Sequence, residues 1–249
     1  MTEPYTELSR DTLFDGKVIC WQPALGYRFS IDSVLLAHYA SIKNNDKLLD
    51  IGTGCGILPL LLHYRNSYMV FTSVGLEKQR DLYDIAKKNI LENKLEHSCQ
   101  IVNGDIAEKK ILFLPESFDR VIFNPPFYSK KSGRQSKDEQ QRIARHQKEG
   151  SLEIFIEGAA YCVKNKGRIY CIYPVSGLVK LLALLSIHKL EPKKLQIVYP
   201  YPDQEKNGNL VLIEGVKNGG GELHIAPPLY IYQKKNGDYS THVQEFYKP

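Results

Sequence analysis

The segment FDRVIFNPPFYSKKSGR, Phe118 to Arg134, carries an apolar run straight into Asn124-Pro125-Pro126-Phe127. One proline would suffice to end a strand, because its ring fixes φ and removes a ladder donor. Two prolines between an amide and an aromatic ring do more. They hold the Pro125 carbonyl and the Asn124 amide oxygen in a stiff arc, two acceptors directed at one point. A planar NH2 group has two hydrogens to give to such a pair. Accepting both fixes the amino nitrogen and favours its pyramidal form, freeing a lone pair otherwise delocalised into the attached ring or carbonyl. Phe127 offers a face on which a flat substrate stacks. The pattern suits attack by a planar amino nitrogen, and its bland counterpart is a rigid strand-ending turn.

Three further stretches carry candidate binding groups. LLDIGTGCGIL, Leu48 to Leu58, ends a strand in Gly52-x-Gly54-x-Gly56 ahead of a helix, where glycines permit a sharp turn and close approach to a ligand. A nicotinamide fingerprint would need a third glycine at 57 or 59, and Ile57 and Pro59 stand there instead. VGLE places Glu77 at a strand end, able to accept hydrogen bonds from ribose hydroxyls. NGDI places Asp105 at the next. Either acid alone would more often be a helix cap or a loop residue. Several such strand ends on one sheet edge make a ligand site, because open α/β sheets bind at the carboxyl ends of their strands.

The elements that must position these groups are legible in the patterning. From Lys47, short β-branched and aromatic runs (KLLDIG, MVFTSVGLE, CQIVNGDI, DRVIFNPP, GRIYCIYP) alternate with helical stretches expected at Leu58 to Tyr64, Asp81 to Asn93, Leu152 to Val163 and Ser176 to His188. That alternation predicts a mostly parallel sheet with crossover helices. LQIVYPYP and NLVLIEGVK, parted by the turn-rich DQEKNG, predict a final antiparallel pair. Ahead of the core, LFDGKVICWQP reads as a hairpin turning at Asp15-Gly16, and FSIDSVLLAHYASI as a helix capped by Ser30 or Asp32. A single domain is expected, with a hairpin-and-helix extension over residues 1–46, a core over 47–217 and a C-terminal extension over 218–249.

Composition excludes several classes. The chain of 249 residues is 43% hydrophobic and 24% charged, ordinary for a globular protein. It holds no run of about 18 apolar residues and no signal peptide after Met1, so no membrane partner is expected and the cytoplasm is the expected location. Five cysteines without a Cys-x-x-Cys pair, and seven scattered histidines, predict neither a disulfide framework nor a metal site. Net charge is +5. Between Tyr128 and Gly150, seven basic residues face three acidic ones, so most of the excess lies directly after the Asn-Pro-Pro-Phe turn. Lysines and arginines there can neutralise phosphates, although such a run is commonly a solvated face.

Together LLDIGTGCG, VGLE, NGDI and NPPF resemble the class I S-adenosylmethionine-dependent methyltransferases that act on planar amino nitrogens. The resemblance implies an α/β Rossmann-like fold, a seven-stranded, mostly parallel sheet whose last strand is antiparallel. It also implies S-adenosyl-L-methionine as cofactor, with its amino acid at Asp50, Gly52, Gly54 and Gly56, its ribose at Glu77 and its adenine near Asp105. GYRFSIDSVLLAHYA, ARH (Ala144 to His146) and PPLYIYQKKNGDYS are similar to bacterial tRNA(Val) adenine-N6 methyltransferases, which modify the adenine directly 3′ of the anticodon. On that resemblance Asn124, Pro125, Pro126 and Phe127 are the catalytic set, and Phe29 joins the cofactor pocket. Tyr128, Lys130, Lys131, Arg134, Arg145 and His146 are the expected tRNA contacts. Phe127 stands where tyrosine is common; a ring is kept and a hydroxyl is lost.

Two other readings fit parts of the pattern. A protein-glutamine N5-methyltransferase uses the same turn on a side-chain amide, but carries a helical N-terminal domain for its protein partner. Only 46 residues precede Lys47 here. A non-catalytic RNA-binding protein on the same scaffold would not need Gly52, Gly54, Gly56, Asn124 and both prolines intact.

Overall fold

The computed structural model describes residues 7–26, 28–126, 152–203 and 207–248. The apolar runs form β3 (Lys47–Ile51), β4 (Thr72–Glu77), β5 (Cys99–Asn103), β6 (Phe118–Phe123), β7 (Val163–Pro174), β8 (Leu190–Tyr199) and β9 (Leu210–Lys217). They lie in the order β5-β4-β3-β6-β7-β9-β8. β3, β4, β5, β6 and β7 pair in parallel, and β9 enters antiparallel between β7 and β8. The seven-stranded sheet with an antiparallel last strand is therefore present.

Two strands of two residues each extend it beyond the sequence reading. β10 (His224–Ile225) and β11 (Leu229–Tyr230) both pair in parallel with the outer edge of β8. Pro227 and Pro228 fall between them and donate nothing to a ladder, so the edge is covered by two short pieces instead of one strand.

Helices α2 (Ile57–Arg65) and α3 (Arg80–Glu92), a four-residue α4 (Lys109–Leu112) that the patterning does not predict, and then α5 (Leu152–Cys162) and α6 (Leu178–Ile187) follow the strands; all but α4 lie close to the expected spans. The start of the last differs: Val175–Gly177 is a 3-10 turn, so the α-helix begins at Leu178 and not Ser176. The sheet buries both faces. Leu48, Ile122 and Tyr170 face one apolar layer while their neighbours Leu49, Val121 and Ile169 face the other. That is the period-two alternation of a sheet covered on both sides.

At the N-terminus, β1 (Leu8–Leu13) and β2 (Val18–Pro23) form the expected hairpin. Asp15 and Gly16 adopt φ of 53° and 84°, and Lys17 N donates to Phe14 O at 3.1 Å. α1 (Ile31–Tyr39) is capped by Ser30, whose side chain accepts from Asp32 N. The hairpin is fastened to α3 by two asparagines one helical turn apart. Asn89 accepts from Trp21 N at 2.7 Å and donates to Trp21 O and Cys55 O, both at 2.8 Å. Asn93 accepts from Ile19 N at 2.9 Å and donates to Ile19 O at 2.6 Å. All five cysteines are free and buried. Among the described residues no cluster of three or more His, Cys, Asp or Glu could hold a metal ion, and no helix is long and apolar enough to cross a membrane.

Candidate functional site

Pairing register decides which residues leave the sheet together. Ile51 of β3 lies beside Leu76 of β4 and Phe123 of β6. The next residue on each chain, Gly52, Glu77 and Asn124, therefore emerges at one level on the carboxyl edge. At a strand spacing of about 4.8 Å, Glu77 and Asn124 flank the glycine turn across about 10 Å. They line a common cleft of about 570 Å³ with Thr53, Gly54, Asp105 and Pro125.

The turn has the backbone that glycine permits. Gly52, Gly54 and Gly56 have φ of 75°, 60° and 83°, a region that a branched residue enters only with strain. Gly52 N and Thr53 N both donate to Leu76 O, at 2.8 and 3.0 Å. Space closes the case at Gly52, where an added Cβ would meet the Phe155 ring at 3.1 Å. Gly56 caps α2, whose first residues Ile57 and Leu58 line the cleft, so a helix N-terminus faces the ligand space.

Glu77 is buried and fixed by the backbone: Oε2 accepts from Gly54 N and Oε1 from Gln79 N, each at 2.8 Å. Burial raises its pKa, and the backbone donors oppose that rise. Asp105 caps the 3-10 turn Ile106–Glu108, accepting from Ala107 N at 2.9 Å, and its other oxygen lies 3.0 Å from Lys78 Nζ. The cap and the ligand-facing positions are the same residue.

Asp50 lies elsewhere than the resemblance implies. It is fully buried beneath the glycine turn and does not line the cleft. Neither carboxylate oxygen has a hydrogen-bond partner, and the neighbouring Thr53 hydroxyl is likewise unpaired. Burial pushes Asp50 up to about 7; Thr53 lies near enough to oppose the rise without closing a hydrogen bond, and the Glu77 charge adds to it.

Asn124 is half-buried, Pro125 buried and Pro126 exposed. No hydrogen bond engages the Asn124 side chain among the described residues. Phe127, Tyr128, Lys130, Lys131, Arg134, Arg145 and His146 lie outside the described residues. Phe29 does reach the cleft, half-buried, with its backbone N donating to the Gln22 amide oxygen at 3.1 Å.

Sequence reasoning overlooked several wall residues. Arg28 and Asp32 flank Phe29, and Arg28 pairs with Asp11 of the hairpin at 2.7 Å. The GYRFSIDS stretch was the available signal for them. Phe155 arrives from α5, a hundred residues beyond the turn it touches, and no local pattern announces it. A larger concavity of about 1150 Å³ lies at the outer edge of the sheet along α3 and β5 and contains none of the expected site residues. The cleft at the strand ends is the one that gathers Gly52, Gly54, Glu77, Asp105 and Asn124.

The family model of the methyltransferase small domain matches residues 28–173. A tRNA1(Val) (adenine(37)-N6)-methyltransferase of Bacteroides thetaiotaomicron is 27% identical over 200 residues, covering 80% of this chain and 78% of that protein. Its namesake in Aliivibrio salmonicida is 27% identical over 212 residues, covering 84% and 81%. Among solved structures, a "predicted O-methyltransferase" of Agrobacterium tumefaciens superposes with a TM-score of 0.69 at 16% identity, covering 86% of this chain and 94% of that one. P. horikoshii TYW2, solved in complex with MeSAdo, superposes at 0.57 and 16% identity, covering 85% and 72%. These structural likenesses concern the fold.

Proposed function

We propose, since this chain belongs to the methyltransferase small domain family, that it methylates the N6 amino group of an adenine in tRNA, using S-adenosylmethionine. The adenine directly 3′ of the anticodon, position 37 of a tRNA such as tRNA(Val), is the favoured target, in keeping with the names of the relatives. The carrying observation is the shared level at which Gly52, Glu77 and Asn124 leave the sheet into one cleft.

The cleft suits the cofactor. A volume of about 570 Å³ falls in the range of small-molecule sites. The N-terminus of α2 favours a carboxylate, and the buried Glu77 carboxylate keeps lone pairs for ribose hydroxyls. Arg28, Phe29 and Asp32 would close the outer wall, with Asp105 near the base. Asp50 would act through the glycine turn, as a buried negative charge beneath a cationic ligand.

Bound there, adenosylmethionine supplies an electrophilic sulfonium methyl. Asn124 Oδ1 and the Pro125 carbonyl accept the two amino hydrogens of the target base and hold its nitrogen pyramidal. The lone pair so freed would be aimed at that methyl, the new N–C bond would replace the S–C bond, and the nitrogen would shed one proton to water. No general base is required for a neutral amine. The target base must leave its stack to reach the turn, and Phe127 would receive its face.

The test is incubation of the protein with labelled adenosylmethionine and unmodified tRNA(Val) transcript, followed by nucleoside analysis. N6-methyladenosine at position 37 is expected. Label on a protein glutamine, or on no substrate at all, would refute the reading.

A further inference from the structure

The stretch PPLYIYQKKNGDYS, Pro227 to Ser240, takes no part in the cleft, yet the fold delivers it to the same edge of the sheet. β11 runs parallel to β8 with Tyr230 beside Tyr199. Because β9 is antiparallel to both β7 and β8, β8 runs in the direction of β6; Gln196 is its residue level with Asn124, so Tyr199 and Tyr230 leave the same carboxyl edge three residues further along. Ile231 N then donates to Tyr199 O at 2.9 Å and Tyr232 N to Pro200 O at 2.8 Å, so the chain is held as it leaves the edge.

Beyond that point the chain builds a column of rings. Tyr232 bridges Tyr239 across the loop 233–238, their rings stacked at 5.4 Å and 20°. Tyr239 stacks on Tyr247 at 5.5 Å and 3°. The column ends at Tyr232, which is 37% exposed. The loop it closes carries Lys234 and Lys235, both exposed, and neither pairs with a carboxylate among the described residues. A partly exposed ring beside two cations without a carboxylate partner among the described residues matches the two features common to every nucleotide, a flat base and a phosphate.

We propose that this edge is a second docking surface for the RNA substrate, with a base stacked on the outer face of Tyr232 and flanking phosphates neutralised by Lys234 and Lys235. The inference rests on the RNA reading above. Four strand spacings separate β11, which leads into Tyr232, from β6, about 19 Å, or roughly the rise of six stacked nucleotides. A single anticodon arm therefore reaches the surface and the Asn124 turn at once.

The experiment measures affinity of the full-length protein for a synthetic tRNA(Val) anticodon stem-loop across a salt series. Lys234→Ala with Lys235→Ala should weaken binding and reduce the log–log salt slope by about 1.5, at about 0.7 to 0.9 per phosphate contact. Tyr232→Ala should weaken it about tenfold or more, whereas Tyr232→Phe retains the stacking face and parental affinity. Adenosylmethionine binding by calorimetry should stay parental in all three. Should Tyr232→Ala lower the melting temperature, the exposed lysine pair carries the decision. Parental affinity and slope in these variants, with a parent that methylates the stem-loop, would overturn the second surface alone. A parent that neither binds nor methylates the stem-loop would overturn both readings.

Discussion

Replacing Asp50 with asparagine isolates what it costs the fold to keep an ionised carboxylate under the glycine turn. The group is wholly buried, its oxygens unpaired, and its pKa rises from 3.8 to about 7. Because the folded value lies above the unfolded one, the penalty is absent below about pH 4, grows through the interval and is complete above pH 7. It amounts to roughly 4 kcal/mol at pH 8 and about 1 to 2 kcal/mol at pH 5. An asparagine amide is also poorly partnered there, but that cost is the same at both pH values and cancels from their difference. Asp50→Asn should therefore gain about 2 to 3 kcal/mol relative to the parent between pH 5 and pH 8. For a domain of this size that is a relative rise of about 5 to 10 °C in melting temperature. Titration of Cys99 does not intrude, since burial holds its thiol near 12. Thermal unfolding of both proteins at the two pH values is the assay. A gap that stays constant from pH 5 to pH 8 would mean that Asp50 is not a buried, unpaired acid, and its proposed action through the turn would fall with it.

Asn124→Ala should leave adenosylmethionine bound and slow methyl transfer by about two orders of magnitude, the usual cost of one pre-organised polar partner; a parental single-turnover rate would reduce the Asn-Pro-Pro turn to a strand ending. Gly54→Val forces a branched residue to φ near 60° in the turn that bonds Glu77, so calorimetry should detect no adenosylmethionine binding. Glu77→Ala should weaken that binding less severely, and unchanged affinity in both variants would remove the cofactor assignment. Alanine at Lys130, Lys131 and Arg134 should weaken RNA binding and flatten its salt dependence while cofactor affinity holds. Equal salt slopes for variant and parent would make that basic run a solvated face.

Much of the architecture was legible because it is written in short-range pattern. Alternation of β-branched runs with helical stretches marks the parallel sheet, and the pair LQIVYPYP and NLVLIEGVK marks its antiparallel end, as β8 and β9 show. Asp15-Gly16 and Ser30 declare their turn and cap through backbone preferences that operate within four residues. The glycines, Glu77 and Asn124 could be picked out for the same reason, since each sits at the end of an apolar run.

The sequence by itself thus determined the element types, the residue kinds at each strand end and the chemistry those kinds permit. Tertiary structure decided which of them meet. Pairing register brings Gly52, Glu77 and Asn124 to one level, and it depends on side chains interlocking across strands drawn from distant parts of the chain. Asp50 and Thr53 lie within the same motif as the glycines, but only packing places Thr53 on the wall and Asp50 beneath it. Phe155 and the Tyr232 column reach their places through helix and edge-strand docking, long-range burial that no local pattern encodes.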